Sequence, residues 1–313
     1  MRHPRLTPLV AVAHGSRDPR AAATVTALLS AVAVRAPRHG LPGLDVRAAF
    51  LDHCAPSLPQ VLGSVSGSES GGGAAAVVVP LLLTAAYHAV ADIPAQLAAA
   101  TAAQPGLDVV SAGTLGPHPL LLAALERRLR EAGVAVDRPA ARAATSVVLA
   151  AAGSSDPAAN ATIAALAARW QRERGWRAVV PAYASAAGPR PAEAVRALRD
   201  ASADFGAGAA RVVVATYLLA PGYFADKVRD AALGAGARAV SGVLGAAPEV
   251  ADIVLDRYRA AVADQTSPAI VARAQLPGKS GCGPLVWEFA SWGHTDVERV
   301  HGAGRAARKS LTR

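Results

Sequence analysis

VVVPLLLTAAYHAVADIP, residues 77–94, decides how the chain is read. A β-branched run opens it, Pro80 breaks it, and Tyr87 and His88 follow, before Asp92 and a second proline. A strand that ends in a polar, turn-forming segment and runs on into a helix is where open α/β sheets place their chemistry. Residues 9–20, LVAVAHGSRDPR, have the same form, an apolar strand running straight into His14. His14 and His88 therefore become candidates for one shared cleft, where they would hold a metal or move a proton.

Working outward, strands and helices alternate. Strands are expected at 9–13, 45–51, 77–83 and 107–112, with helices over 21–34, from 56 to 62, over 93–103 and over 120–132. Continuous apolar runs mark strands covered on both faces. Asp18-Pro19 has the composition of a helix start, and SVSGSESGGG at 64–73 is a flexible loop. This βαβαβαβα order implies a parallel sheet with helices on both faces.

The order then begins again after an Ala/Arg/Pro linker at 138–144. GSSDPAAN at 153–160 repeats GSRDPRAA at 15–22, and RVVVATYLLAPGYFADKV at 211–228 echoes residues 77–93. Leu115-Gly116 and Pro119 recur as Leu244-Gly245 and Pro248. Landmarks recurring in one order, about 130 residues apart, are an internal duplication of a whole domain. The expected architecture is α/β, two tandem domains at 1–137 and 138–264, each a parallel four-stranded sheet flanked by helices, then a disordered basic tail at 265–313 in which WEFASW could dock. Between the copies His14 corresponds to Ala152 and His88 to Phe224, while Tyr87 persists as Tyr223. Matching Pro59 to Pro191 sets Asp52 opposite Ala184. Joint loss of three polar strand-end groups indicates that the first copy holds a site and the second is a scaffold.

Composition bounds the rest. Of 313 residues 52% are hydrophobic but only 4% aromatic, so the core is built of Ala, Val and Leu. A net charge of +9 suits an anionic small molecule. Arg305, Arg308, Lys309 and Arg313 have no interleaved aromatics, which argues against nucleic acid. Cys54 and Cys282 form no metal-ligand spacing and no disulfide framework, which favours a reducing compartment. The opening apolar run lacks a small-residue cleavage site and reads as a strand. No uncharged stretch reaches membrane-spanning length, so a soluble, cytoplasmic protein is expected.

Two neutral imidazoles and a carboxylate from neighbouring strand ends suit a divalent first-row metal with open positions, or proton abstraction near neutral pH. A strand-end histidine taken alone is more often a surface or capping residue, and Asp52 before a helix is an ordinary cap. His53 and Cys54 neighbour it, and at most one of Asp52 and His53 should face the cleft. His118 reads as a turn residue; His3, His39, His294 and His301 lie in polar or terminal stretches. Gly15-Ser16 leading into a helix can receive an anionic group on backbone N–H donors.

HGSRDPRA at 14–21, FLDHCAPSLPQ at 50–60 and VPLLLTAAYHAVADIP at 79–94 together resemble the class II tetrapyrrole chelatases, the sirohydrochlorin cobalto- and ferrochelatases of the CbiX/SirB type. The resemblance is close over 9–132, looser over 146–262, and does not cover the tail. It implies that His14 and His88 bind the metal and accept protons, and that Asp52 assists where the family commonly has a longer glutamate. It implies that Gly15, Ser16, Arg17 and Tyr87 contact sirohydrochlorin, an anionic tetrapyrrole. It further implies that Fe2+ or Co2+ is inserted for sirohaem or cobalamin with release of two protons, and that no organic cofactor is needed. A monomer enclosing a cleft between its two domains is expected; the sequence leaves a dimer open. Ni2+ as the metal and a non-catalytic tetrapyrrole or metal carrier are the alternatives. A sugar- or nucleotide-binding α/β protein is disfavoured, since no GxGxxG follows any strand.

Overall fold

The computed structural model describes residues 6–65, 76–84, 92–203 and 211–266. The first repeat runs β1 (Leu9–Ala13), α1 (Pro19–Arg35), β2 (Val46–Phe50), α2 (Leu58–Val65), β3 (Ala76–Pro80), α3 (Ile93–Ala103), β4 (Val109–Ser111) and α4 (Pro119–Glu131). The expected linker holds a short helix, α5 (Pro139–Ala143), because alanines follow a proline that is well placed in a first helical turn. The second repeat is β5 (Thr145–Ala151), α6 (Pro157–Arg174), β6 (Ala178–Tyr183), α7 (Pro191–Ala203), β7 (Arg211–Tyr217), α8 (Tyr223–Gly234), β8 (Ala239–Val240) and α9 (Pro248–Thr266). Both sheets are parallel and four-stranded, in the orders β2-β1-β3-β4 and β6-β5-β7-β8. The third strand, expected to reach residue 83, stops at Pro80, although the Leu81 amide still reaches the Val12 carbonyl at 2.8 Å. The described residues all belong to one compact unit, and among them no helix is long and apolar enough to cross a membrane.

Strand periodicity sorts the core. Leu9, Ala11 and Ala13 of β1 face an inner core, Val10 and Val12 an outer one. In β5, Val147, Leu149 and Ala151 face the same inner core, while Val148 and Ala150 face a separate outer one. Each central strand thus alternates between two buried faces, and all five positions of LVAVA can be apolar. The inner core is shared by the two sheets, with α1, α4, α6 and α9 between them.

The filling of that middle layer is reciprocal. Helix α1 packs on its own sheet at β2 and α6 on its own at β6, but α4 of the first repeat packs on β7 and α9 of the second on β3. Polar ties hold the exchange. Arg127 bonds Glu249 (2.7 Å), Arg128 donates to the Leu244 carbonyl (2.8 Å), and the Tyr258 hydroxyl donates to the Thr7 carbonyl (2.7 Å). Buried Glu126 accepts from Trp170 Nε1 (3.1 Å) and Arg174 (2.9 Å), which satisfies a carboxylate that would otherwise be costly to bury.

Arg35 of α1 makes a two-pronged bond to Asp252 of α9, and His39 Nε2 lies 2.9 Å from the same carboxylate. Burial alone would raise the Asp252 pKa, but the hydrogen bonds from Arg35 and His39 outweigh it and hold the pKa below the ordinary carboxylate value. Glu249 is lowered in the same way, Arg127 overcoming burial. A depressed folded pKa gives stability present above the unfolded value and lost as pH falls through the folded one. The urea midpoint is therefore expected to fall as pH drops below about 4. Asp252→Asn should cost about 1.5–3 kcal/mol at pH 7, the scale of a charge-assisted bond, and flatten that acid limb.

Candidate active site

In each sheet the helices after the two central strands leave to opposite faces. Helix α1 lies in the inner core after β1 and α3 packs in the outer core after β3; α6 and α8 do the same after β5 and β7. The carboxyl ends of β1 and β3, and of β5 and β7, are thus topological switch points, where crevices open in parallel sheets. Two cavities of about 410 Å³ each occupy this region. One is lined mainly by residues 13–17, Phe50, His53 and residues 218–225. The other is lined by residues 81–84 and 151–154, with Asn160, Ser185 and Tyr217. His14 lines both.

His14 is the first residue beyond β1, and its side chain is exposed. Its carbonyl accepts the Asp52 amide at 3.0 Å, so the β1–α1 and β2–α2 loops lie edge to edge. Gly15 permits this approach. It sits at φ +93°, and a Cβ there would fall 1.8 Å from the Asp52 carbonyl oxygen. Ser16 Oγ accepts the Asp18 amide (3.1 Å), and Asp18 caps α1 by accepting from Arg20 N (2.9 Å). Cys54 Sγ reaches the Ser16 carbonyl at 3.1 Å. The Ser16 hydroxyl thus shapes the loop, while Arg17 is exposed and lines the first cavity. Gly15→Ala is expected to cost at least about 1–2 kcal/mol from its backbone conformation alone and to lower the thermal midpoint. Gly153→Ala, whose Cβ would lie 2.1 Å from the Ser185 carbonyl oxygen, should match it in stability. The cavity wall should be disturbed more by Gly15→Ala, because the loop displaced there carries His14.

The structure brings His53, not Asp52, to the cavity wall. His53 adopts φ 60° and sets its ring 6.4 Å from that of His14, edge to face at 76°. Asp52 lies beside it, with Oδ1 accepting the His53 amide (2.7 Å) and Oδ2 3.3 Å from His53 Nε2. Asp52 is 62% exposed, so its carboxylate backs His53 from the solvent side. His88 and Tyr87 lie outside the described residues. Among the described residues, no group of three His, Cys, Asp or Glu side chains is placed to hold a metal ion.

The second copy corrects one register. Phe50 pairs with Ala13 as Tyr183 pairs with Ala151, and the amides of Phe50 and Tyr183 bond to the carbonyls of Pro56 and Pro189. Asp52 therefore matches Ser185, not Ala184, and His53 matches Ala186, which shares its left-handed backbone at φ 59°. Two imidazoles, His14 and His53, thus become alanines in the copy, whereas the Asp52 position stays polar. Matching Pro56, with Gln60 three residues beyond Ser57, to Pro189 and Glu193 would have revealed this. Both Gln60 and Glu193 accept a loop amide, from Ser57 N at 2.9 Å and Arg190 N at 2.8 Å.

Across from His14, α8 begins with Tyr223 and Phe224, their rings 5.5 Å apart. Arg20 bridges Asp18 and Asp226, each at 2.6 Å, tying α1 to α8 beside the cleft. Arg20 holds the Asp18 carboxyl below its usual range through those bonds. The Tyr217 hydroxyl donates to the Leu83 carbonyl at 3.1 Å, and burial pushes its pKa well up, so the phenol stays neutral. An imidazole at the neck of a largely apolar slot can accept a proton or ligate a borderline cation next to a bound organic body.

The family model of CbiX matches the chain twice, over residues 8–132 and 146–261. SirB from Bacillus subtilis with Fe3+ superposes with a TM-score of 0.66 at 24% identity, over 82% of this chain and 96% of that one. SirB from Bacillus subtilis subspecies spizizenii in complex with cobalt gives 0.61 at 22%, over 82% and 95%. DR2241 from Deinococcus radiodurans, a multi-domain protein with structural similarity to chelatases, gives 0.63 at 21%, over 81% of this chain and 55% of that one. At these identities the structural likeness is one of fold. No curated protein matches.

Proposed function

The chain belongs to the CbiX family, carrying two copies of its unit, and from that premise we propose that it inserts a divalent metal, Fe2+ or Co2+, into sirohydrochlorin. The observation that carries this reading is His14 at a switch point, common to both cavities of a largely apolar cleft. Insertion exchanges two pyrrole protons for one M2+, so a neutral base must stand beside the macrocycle and pass protons to water. His14 is that base and the transient metal ligand, with His88 as its partner. His53, backed by Asp52 at 3.3 Å, forms the exit for the proton on the solvent side. Gly15 and Ser16 shape the loop against the substrate, and Arg17 and Tyr87 meet its rim. The metal is a substrate that leaves in the product, which suits a sparse ligand set, and no organic cofactor takes part. One monomer encloses the cleft by itself.

Insertion rates for Fe2+, Co2+ and Ni2+ with sirohydrochlorin, measured side by side, test the reading. Stoichiometric binding of the tetrapyrrole without insertion of any of the three would make the protein a carrier instead.

A further inference from the structure

The second copy does more than support the first. We infer that Phe224, with the Tyr223 ring set against it, forms an aromatic platform against which the face of the tetrapyrrole stacks, so that substrate affinity comes in large part from the copy that lacks the imidazoles. This rests on the chelatase reading and names the residues that hold its substrate.

Six residues line both cavities: His14, Leu81, Leu82, Leu218, Leu219 and Phe224. They form a waist where two leucines from each sheet enclose one imidazole and one phenyl ring. Phe224 is 40% exposed and Tyr223 71%, in a chain with only 4% aromatic residues. Two adjacent exposed rings, held at 60° to one another, bury no core and instead offer an apolar face to the slot. Lys227 Nζ sits 5.8 Å from the Tyr223 ring centre, and Arg17 lines the same cavity. Arg20 is already bonded to two aspartates, whereas Lys227 and Arg17, among the described residues, are cations near this rim that make no ion pair and can meet a ligand. A leucine-walled slot with an aromatic ledge and cations at its mouth suits a flat apolar body fringed with carboxylates. The same position is His88 in the first copy, so the duplication has divided the work. One copy keeps the imidazole and the other has exchanged it for a phenyl ring.

The test titrates sirohydrochlorin into the full-length protein and its Phe224→Ala variant, followed by absorbance, with steady-state insertion of Co2+ measured on both. The Kd and KM for the tetrapyrrole are expected to rise roughly 10- to 100-fold, the worth of one buried phenyl face. The KM for Co2+ and the thermal midpoint should not move, and Phe224→Trp should restore binding to within several-fold. Unchanged tetrapyrrole affinity in Phe224→Ala, or a loss that Phe224→Trp fails to restore, overturns the platform. If the wild type inserts metal in that case, the chelatase reading still stands. A wild type that neither binds nor inserts removes the reading itself.

Discussion

Replacing His14 with alanine is expected to lower metal insertion into sirohydrochlorin by at least about 100-fold, the scale of a positioned proton-transfer group. The loss should come without a change in fold. The side chain is exposed, and the interaction that joins the two loops uses the His14 carbonyl, which alanine retains. Ala152 occupies the equivalent place in the second copy, its carbonyl likewise accepting the Ser185 amide at 2.9 Å, so alanine is compatible with this backbone. His53→Ala should be milder, on the order of 10-fold, because His53 lies one ring away at 6.4 Å and in the proposed relay only passes on a proton already taken. Insertion rates and thermal midpoints measured on both variants decide the order. If His53→Ala is the more damaging, the two imidazoles have been assigned in reverse; wild-type rates in both would remove the proposed base altogether.

The fold was legible because each repeat carries its own evidence twice. LVAVA and VVVP could be read as buried strands from unbroken apolar composition, and Asp-Pro at 18–19 and 156–157 marked helix starts that the structure caps as expected. What sequence could not convey was which sheet each helix covers. Helices α4 and α9 are amphipathic whether they pack on their own sheet or on the other one, and periodicity records only that a face is buried. His14 was legible as a candidate because a strand runs directly into a polar residue, and the structure sets it on the wall of both cavities. Between Asp52 and His53 the sequence left the choice open, because which of them lines the cavity depends on one left-handed residue in a loop rather than on strand alternation. Pairing Pro59 with Pro191 sets the copies one residue out of step and conceals the loss of that imidazole to alanine. The loop spacing from aromatic to proline to Gln or Glu was the better ruler, because backbone bonds set it.

The exchange of α4 and α9 makes the largest stability prediction. A chain ended at residue 247, lacking α9, is expected not to fold, whereas a chain ended at residue 270 keeps the midpoint of the full protein. Val250, Ile253, Val254, Leu255 and Tyr258 of α9 are all at most 2% exposed and belong to the inner core. Burying side chains of this kind is worth about 1.5–3 kcal/mol each, and five of them together match the whole stability of a typical domain, about 5–15 kcal/mol. Removal would also strip the first sheet, since α9 packs on β3, and would leave Arg35 and Arg127 without Asp252 and Glu249. The first repeat should therefore fail along with the second, in one transition. Circular dichroism and urea melts of the two truncated chains provide the measurement. A residue 1–247 chain that unfolds cooperatively near the wild-type midpoint would show that each repeat closes its own core, and that the crossed helices are ornament to two independent domains.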